Sequence, residues 1–202
     1  MTFGHLRELI AADLYRYEGK VNRKLLLANL RSTPGFQYTF WMRVCRYFGE
    51  ARPHILNKTL FFAARQMLKH YRYKLTIDIP FGTEIGKGFY ISHFGGIFIN
   101  PEAKLGRNVN VSQGVTIGQA SRGERAGCPV IGDHVYIGPG AKLIGAIRVG
   151  DYAAIGANCV VTKDVPSHGV VVGIPGKVIS LCGSAGYILN DCDELRRQVG
   201  GG

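Results

Sequence analysis

Apolar residues recur six apart along residues 131–165, at Ile131, Ile137, Leu143, Val149, Ile155 and Val161. Gly132, Gly138, Gly150 and Gly156 follow four of these anchors, and four residues after each anchor stands a second small or branched side chain: Val135, Ala141, Ile147, Ala153, Cys159 and Val165. A period of six fits neither the 3.6-residue repeat of a helix nor simple strand alternation. Each hexad instead turns two side chains inward and places glycine at its corners. Such a unit buries its apolar row only by stacking on the next, which predicts a parallel β-helix.

The same phase runs upstream through Ile79, Ile85 and Ile91, slips by two residues, and resumes at Ile99, Leu105, Val111 and Ile117. The repeat lapses between Ile117 and Ile131, so a loop is expected to leave the coil over Gly118 to Val130. Departures of this kind are where function collects on a repeat scaffold. A last coil is expected around Val171 to Ile179. A charged tail, Asp191 to Arg197, and a disordered Gly200-Gly201-Gly202 should follow it.

Before the prism the pattern changes to helical spacing. Leu6, Leu9, Ile10 and Leu14 predict one helix, Leu25 to Leu30 a continuation after Gly19, and Phe36 to Phe48 another after Pro34-Gly35. Ile55 to Tyr73 reads as a longer helix with Leu56, Leu60, Ala63, Ala64, Met67 and Leu68 on one side. Its aromatics Phe61, Phe62, Tyr71 and Tyr73 are expected to pack on the prism, the alternative being contact with a membrane surface. The domain organisation expected is a helical region over 1–74, a β-helix over 75–182 and a C-terminal tail over 183–202.

Composition adds a charge asymmetry. Residues 1–78 hold 14 Lys and Arg against 5 Asp and Glu, and residues 79–202 hold 11 against 9, so the net +11 belongs mostly to the helices. A basic surface attracts phosphates, nucleic acid or anionic lipid, whereas its plainer meaning is a solvated helix face. No nucleic-acid-binding motif accompanies it, and none is expected as a partner. Contact with an anionic membrane explains the charge more economically. No apolar run reaches the ~18–20 residues of a spanning helix, so a cytoplasmic chain is expected, peripheral at the inner face of the membrane if the basic helices bind there. The five cysteines are odd in number and lack C-x-x-C spacing, which argues against disulfides or a zinc knuckle.

The hexads, the closing Gly173-Ile174-Pro175-Gly176-Lys177 and the preceding Thr162-Lys163-Asp164-Val165-Pro166 resemble the hexapeptide-repeat acyltransferases. The resemblance implies a mainly β fold: a left-handed parallel β-helix of triangular section, three hexads to a coil, with an N-terminal α-helical region. Handedness comes from the resemblance alone, since crossovers between parallel strands are otherwise nearly always right-handed. It also implies homotrimers with active sites between subunits and acetyl-CoA as co-substrate.

His93, in Ile91-Ser92-His93-Phe94-Gly95-Gly96, falls at an outward or corner position beside two glycines that let a ligand approach the backbone. On its own it is open to a structural or a catalytic reading. In the serine acetyltransferases and the related capsule and colanic acid O-acetyltransferases, a histidine at this point is the general base. Serine acetyltransferases also place a carboxylate fifteen residues earlier, which is Asp78 here. A carboxylate on one imidazole nitrogen would fix the tautomer and leave the other nitrogen to take a hydroxyl proton; as a residue alone, Asp78 also reads as a cap at the helix-to-prism junction. By position in the matching motifs, Gly138 and Ala157 would face the pantetheine arm and Lys163 and Lys177 the phosphates.

The chain departs from serine acetyltransferases in the loop that rejoins the prism. Their Arg-His pair, which holds the amino acid, is replaced by Gly127 and Cys128 before Pro129, with Arg122 and Arg125 displaced along the loop. The colanic acid type carries Cys-Pro at this place. The acceptor expected is therefore a glycan, a sugar hydroxyl of a surface or capsular polysaccharide, with Arg125 and Cys128 near it; the alternative is an L-serine O-acetyltransferase of cysteine biosynthesis. A metal-dependent hydratase on the same prism is a second class, but His134 and His168 lack short ligand spacing, and no metal is expected. A noncatalytic scaffold is a third.

Overall fold

A computed structural model describes residues 1–52 and 54–199; the three closing glycines lie outside the described residues. Four helices come first: α1 (Phe3–Glu18), α2 (Arg23–Ser32), α3 (Pro34–Glu50) and α4 (Ile55–Leu75). Their ends follow local chemistry. Thr2 and Asn22 cap α1 and α2 by accepting the amides of His5 and Leu25. Gly19 closes α1 in the left-handed region, and Pro34 opens α3 at its first position.

Among the described residues fifteen short strands follow, stacked in three sheets that form the faces of a left-handed β-helix. One face holds β1 (Ile77–Asp78), β4 (Ile97–Ile99), β7 (Thr116–Gly118), β10 (Lys142–Ile144) and β13 (Val160–Val161). The next holds β2 (Glu84–Ile85), β5 (Lys104–Leu105), β8 (Val130–Ile131) and β11 (Arg148–Val149). The third holds β3 (Tyr90–Ile91), β6 (Asn110–Val111), β9 (Tyr136–Ile137), β12 (Ala154–Ile155), β14 (Val170–Val172) and β15 (Lys177–Ser180). All neighbours are parallel except β14 and β15.

The core is the double row read from the hexads. Every anchor from Ile131 to Val161, and every partner from Val135 to Val165, is buried. The glycines after the anchors are there because coils stack backbone to backbone: a Cβ on Gly138 would lie 2.8 Å from the Ile155 carbonyl oxygen and 3.0 Å from the Ala157 nitrogen. Register gives the coil length. Phe98 pairs with Thr116 and Lys142 with Val160, each eighteen residues on, as three hexads require. Ile77 pairs with Ile97 across twenty residues and Thr116 with Lys142 across twenty-six. The two-residue slip and the lapse in the repeat are thus insertions into single coils.

Three sequence expectations need correction. The residues around Val171 to Ile179 do not make a coil: Gly173, at φ +91°, reverses the chain, and β15 returns antiparallel on β14. Phe61 and Tyr71 are partly covered, but Phe62 and Tyr73 stay 64% and 71% exposed, because the packed side of α4 is centred on Ala64, Leu68 and Leu75. The C-terminal segment does not run free either. Arg16 donates to the Leu189 carbonyl and to the side chain of Asn110, Asn110 donates to the Tyr187 carbonyl, and Cys192 is buried at the start of α5 (Cys192–Val199). A stack of rings, His134 on Tyr152 on His168, lines the corner beside it.

Candidate active site

His93 owes its exposure to the two-residue slip. A regular corner joins inward residues four apart, as Val111 and Val115 are; the His93 corner joins Ile91 and Ile97, six apart, with Gly95 and Gly96 at positive φ. The added length pushes His93 and Phe94 out of the prism. Glycine makes the turn possible, since φ values of +107° and +66° are rarely adopted by side chains bearing Cβ. The imidazole makes no hydrogen bond or ion pair to the described residues, so a ring nitrogen is available to a substrate. It opens onto a cleft of about 470 Å³ walled by Tyr90, Ser112, Gln113 and Tyr136 and by Tyr187 of the C-terminal segment. The Gln113 Oε1 atom is buried there without a partner.

Asp78 stands on β1, next to Phe98 in register, and belongs to a second, larger cleft of about 710 Å³. Its carboxylate accepts from Arg72 at 2.5 Å and makes no hydrogen bond to His93. The structure therefore does not bring the two together within one chain. Arg72 could be found from sequence only by seeing that it lies one helix turn and a strand before Asp78, across the left-handed cap at Thr76. Arg65 and Lys69 of α4 line the same cleft and were likewise not singled out.

The loop after β7 folds back on itself, Ala120 and Gly127 exchanging both backbone hydrogen bonds. Arg125 is tied to Asp164 at 2.9 Å, with both side chains about half exposed, and its carbonyl accepts from Ala146. Cys128 packs against the core, where burial, with a smaller push from Glu102, holds its thiol above the ordinary range. It is not poised as a nucleophile. Ala157, Lys163 and Lys177 are exposed toward the C-terminal end of the prism, whereas the space beside Gly138 is taken by the next coil.

His134, Asp191 and Asp193 offer ligand atoms within 4.8 Å of one another, far apart in sequence and joined only by the docked C-terminal segment. Asp193 is already paired with Arg107 and Lys87, so the cluster reads as a latch for that segment.

Residues 128–163 match the model of the bacterial transferase hexapeptide, six repeats. A serine acetyltransferase of Bacillus pumilus is 42% identical over 123 residues, 61% of this chain and 57% of that protein. The solved serine acetyltransferase of Neisseria gonorrhoeae in complex with serine superposes with a TM-score of 0.67 and 28% identity, covering 88% of this chain and 70% of that one. A serine acetyltransferase in complex with CoA superposes with a TM-score of 0.69 and 27% identity, covering 88% and 71%. Residues 128–163 carry the hexapeptide repeat of the bacterial transferases, and the chain is similar in sequence and fold to serine acetyltransferases. It spans just under three fifths of the length of the curated relatives it matches.

These likenesses overturn the glycan acceptor expected from the sequence, because both the relatives and the structural neighbours are serine acetyltransferases. Gly127 and Cys128 line neither cleft, whereas Arg65, Lys69 and Arg72 of α4 make one wall of the larger cleft cationic.

Proposed function

We propose that the chain transfers the acetyl group of acetyl-CoA to the hydroxyl of L-serine. The observation that carries this reading is the likeness, over 88% of the chain, to serine acetyltransferases bound to serine and to CoA. In this reading His93 takes the serine hydroxyl proton as the oxygen attacks the thioester carbonyl. Backbone amides at the Gly95-Gly96 corner or at Gly118 are candidates to hold the oxyanion. Collapse of the tetrahedral adduct breaks the carbon–sulfur bond, the thiolate leaves with the proton held by His93, and O-acetylserine and CoA result. Lys163 and Lys177 face the phosphates, with Ala157 beside the pantetheine arm. His93 and Asp78 open onto different clefts of one chain, so a site that uses both is completed by a neighbouring copy, which favours a homotrimer with sites between subunits.

The test is direct: purified protein, acetyl-CoA and L-serine, with the amino acid analysed by mass spectrometry. O-acetylserine formed in step with free thiol is expected. CoA release without acetylated serine would overturn the reading.

A second reading concerns location. No helix among the described residues is long and apolar enough to cross a membrane. Yet α4 contains no Asp or Glu, carries Lys58 and Lys74 outside the cleft, and leaves Ile55, Leu56 and Phe62 exposed. A surface of anionic lipid complements both features, and a second copy of the same basic face would not.

A further inference from the structure

The larger cleft runs between α4 and the first face of the prism. Arg65, Lys69 and Arg72 stand on successive turns along one side of α4, and Asp78 and Thr116 face them from the sheet. Gly118, from which the 118–130 loop departs, also lines it. The loop whose Gly127 and Cys128 bring no charge therefore starts from a cleft whose opposite wall is positive.

We propose that this wall holds the carboxylate of the acceptor, with Arg72 as the residue that selects an amino acid hydroxyl over that of a neutral molecule. The proposal rests on the L-serine reading. A carboxylate leaving water needs a charge-assisted partner, and a planar guanidinium meets it with two parallel N–H donors. Arg125, the loop's nearest cation to Cys128, is held by Asp164. Arg72 spends only Nη2, on Asp78; its remaining nitrogens make no hydrogen bond or ion pair to the described residues. Asp78 thereby aims the guanidinium into the cleft and still leaves donors free. Arg65 and Lys69 add positive potential, and neither has an ion-pair partner among the described residues.

These cations are not accounted for by the co-substrate. Lys163 follows β13, four strands along the same face from β1, which at ~4.8 Å per strand puts it roughly 19 Å from the Asp78 end. The two basic groups therefore serve opposite ends of the site.

The experiment compares wild type, Arg72→Gln, Arg72→Lys and Lys69→Gln in steady state, with L-serine and with L-serine amide, which keeps the hydroxyl and lacks the carboxylate. Arg72→Gln is expected to raise the KM for L-serine roughly ten- to a hundredfold, to leave the KM for acetyl-CoA unchanged, and to abolish the wild-type preference for L-serine over the amide. Arg72→Lys should fall between, having charge without the fork, and Lys69→Gln should have the smaller effect. If Arg72→Gln falls below detection, calorimetric titration with L-serine reads the same loss. Wild-type turnover of L-serine with an unchanged KM in Arg72→Gln, or equal use of the amide by wild type, overturns the clamp and leaves the serine reading standing. No wild-type turnover of L-serine overturns both.

Discussion

Arg43 on α3 and Asp13 on α1 meet at 3.0 Å with 2% and 1% of their side chains exposed. The guanidinium also donates to the carbonyls of Ile85 and Gly86 at 2.7 and 2.6 Å, and Asp13 accepts from the Phe89 amide at 2.9 Å. Two helices are thereby fixed to the first coil of the prism; the Ile85 carbonyl takes from Arg43 the hydrogen bond that its equivalents Leu105 and Ile131 accept from the preceding coil. Burial pushes the Asp13 carboxyl up, and Arg43 and the Phe89 amide pull it back.

Removing one member of this pair leaves a charge buried and alone, at a cost of about 3–5 kcal/mol. Arg43→Ala is expected to lower the unfolding free energy by that amount in chemical denaturation. A loss under about 1 kcal/mol, typical of a surface pair, would show that the helices do not depend on it.

His93→Ala should preserve the fold, since the side chain is exposed and unbonded, while lowering turnover roughly 10²- to 10⁴-fold. Asp78→Asn should lower it less, because that residue acts on orientation and charge. Circular dichroism and initial rates on the same preparations separate the two effects. Near wild-type rates in His93→Ala would remove it as the base.

The docked C-terminal segment should respond to acid. Burial opposes the ionised Asp191, but the Asp193 amide, His134 and Arg16 outweigh it and hold the carboxyl below its ordinary value of 3.8. Burial likewise opposes Asp133, and the Arg107 amide and side chain outweigh it. Depressed folded-state values mean that these contacts contribute fully above 3.8 and are lost as pH falls through the lower folded values. Protection of the Cys192 and Asp193 amides from exchange should therefore persist down to that point and fail below it. Release that begins near neutrality would point to another group.

Membrane contact is checked by sedimentation with vesicles. Binding to anionic vesicles, absent on neutral ones and weakened by salt, is expected, at about 1 kcal/mol for each basic residue near the surface. Ile55→Ala and Phe62→Ala, both outside the α4 cleft, should weaken it with activity retained. Equal binding to neutral vesicles would contradict the electrostatic account.

The prism was legible because its core obeys one rule: Ile131, Val135 and their equivalents face inward at fixed spacing, and nothing distant decides them. His93 was legible as a departure from that rule, although only the register reveals that the slip and the histidine are one feature. Contacts between distant segments were hidden. Nothing near Arg72 in sequence tells that it faces the loop root at Gly118, nor does Tyr187 reveal that it will wall the His93 cleft. The acceptor was misread for the same reason: Gly127 and Cys128 were visible as a loss of charge, while the cations across the cleft came from a helix more than fifty residues earlier.

The most direct measurement is the initial rate of CoA release from acetyl-CoA with L-serine, set beside a panel of sugars and capsule oligosaccharides, for wild type and His93→Ala. The account predicts saturable, His93-dependent release with L-serine at submillimolar KM, within the ~1 μM–1 mM range usual for enzymes, and only background release with the sugars. Efficient turnover of a sugar, with L-serine at background, would contradict it.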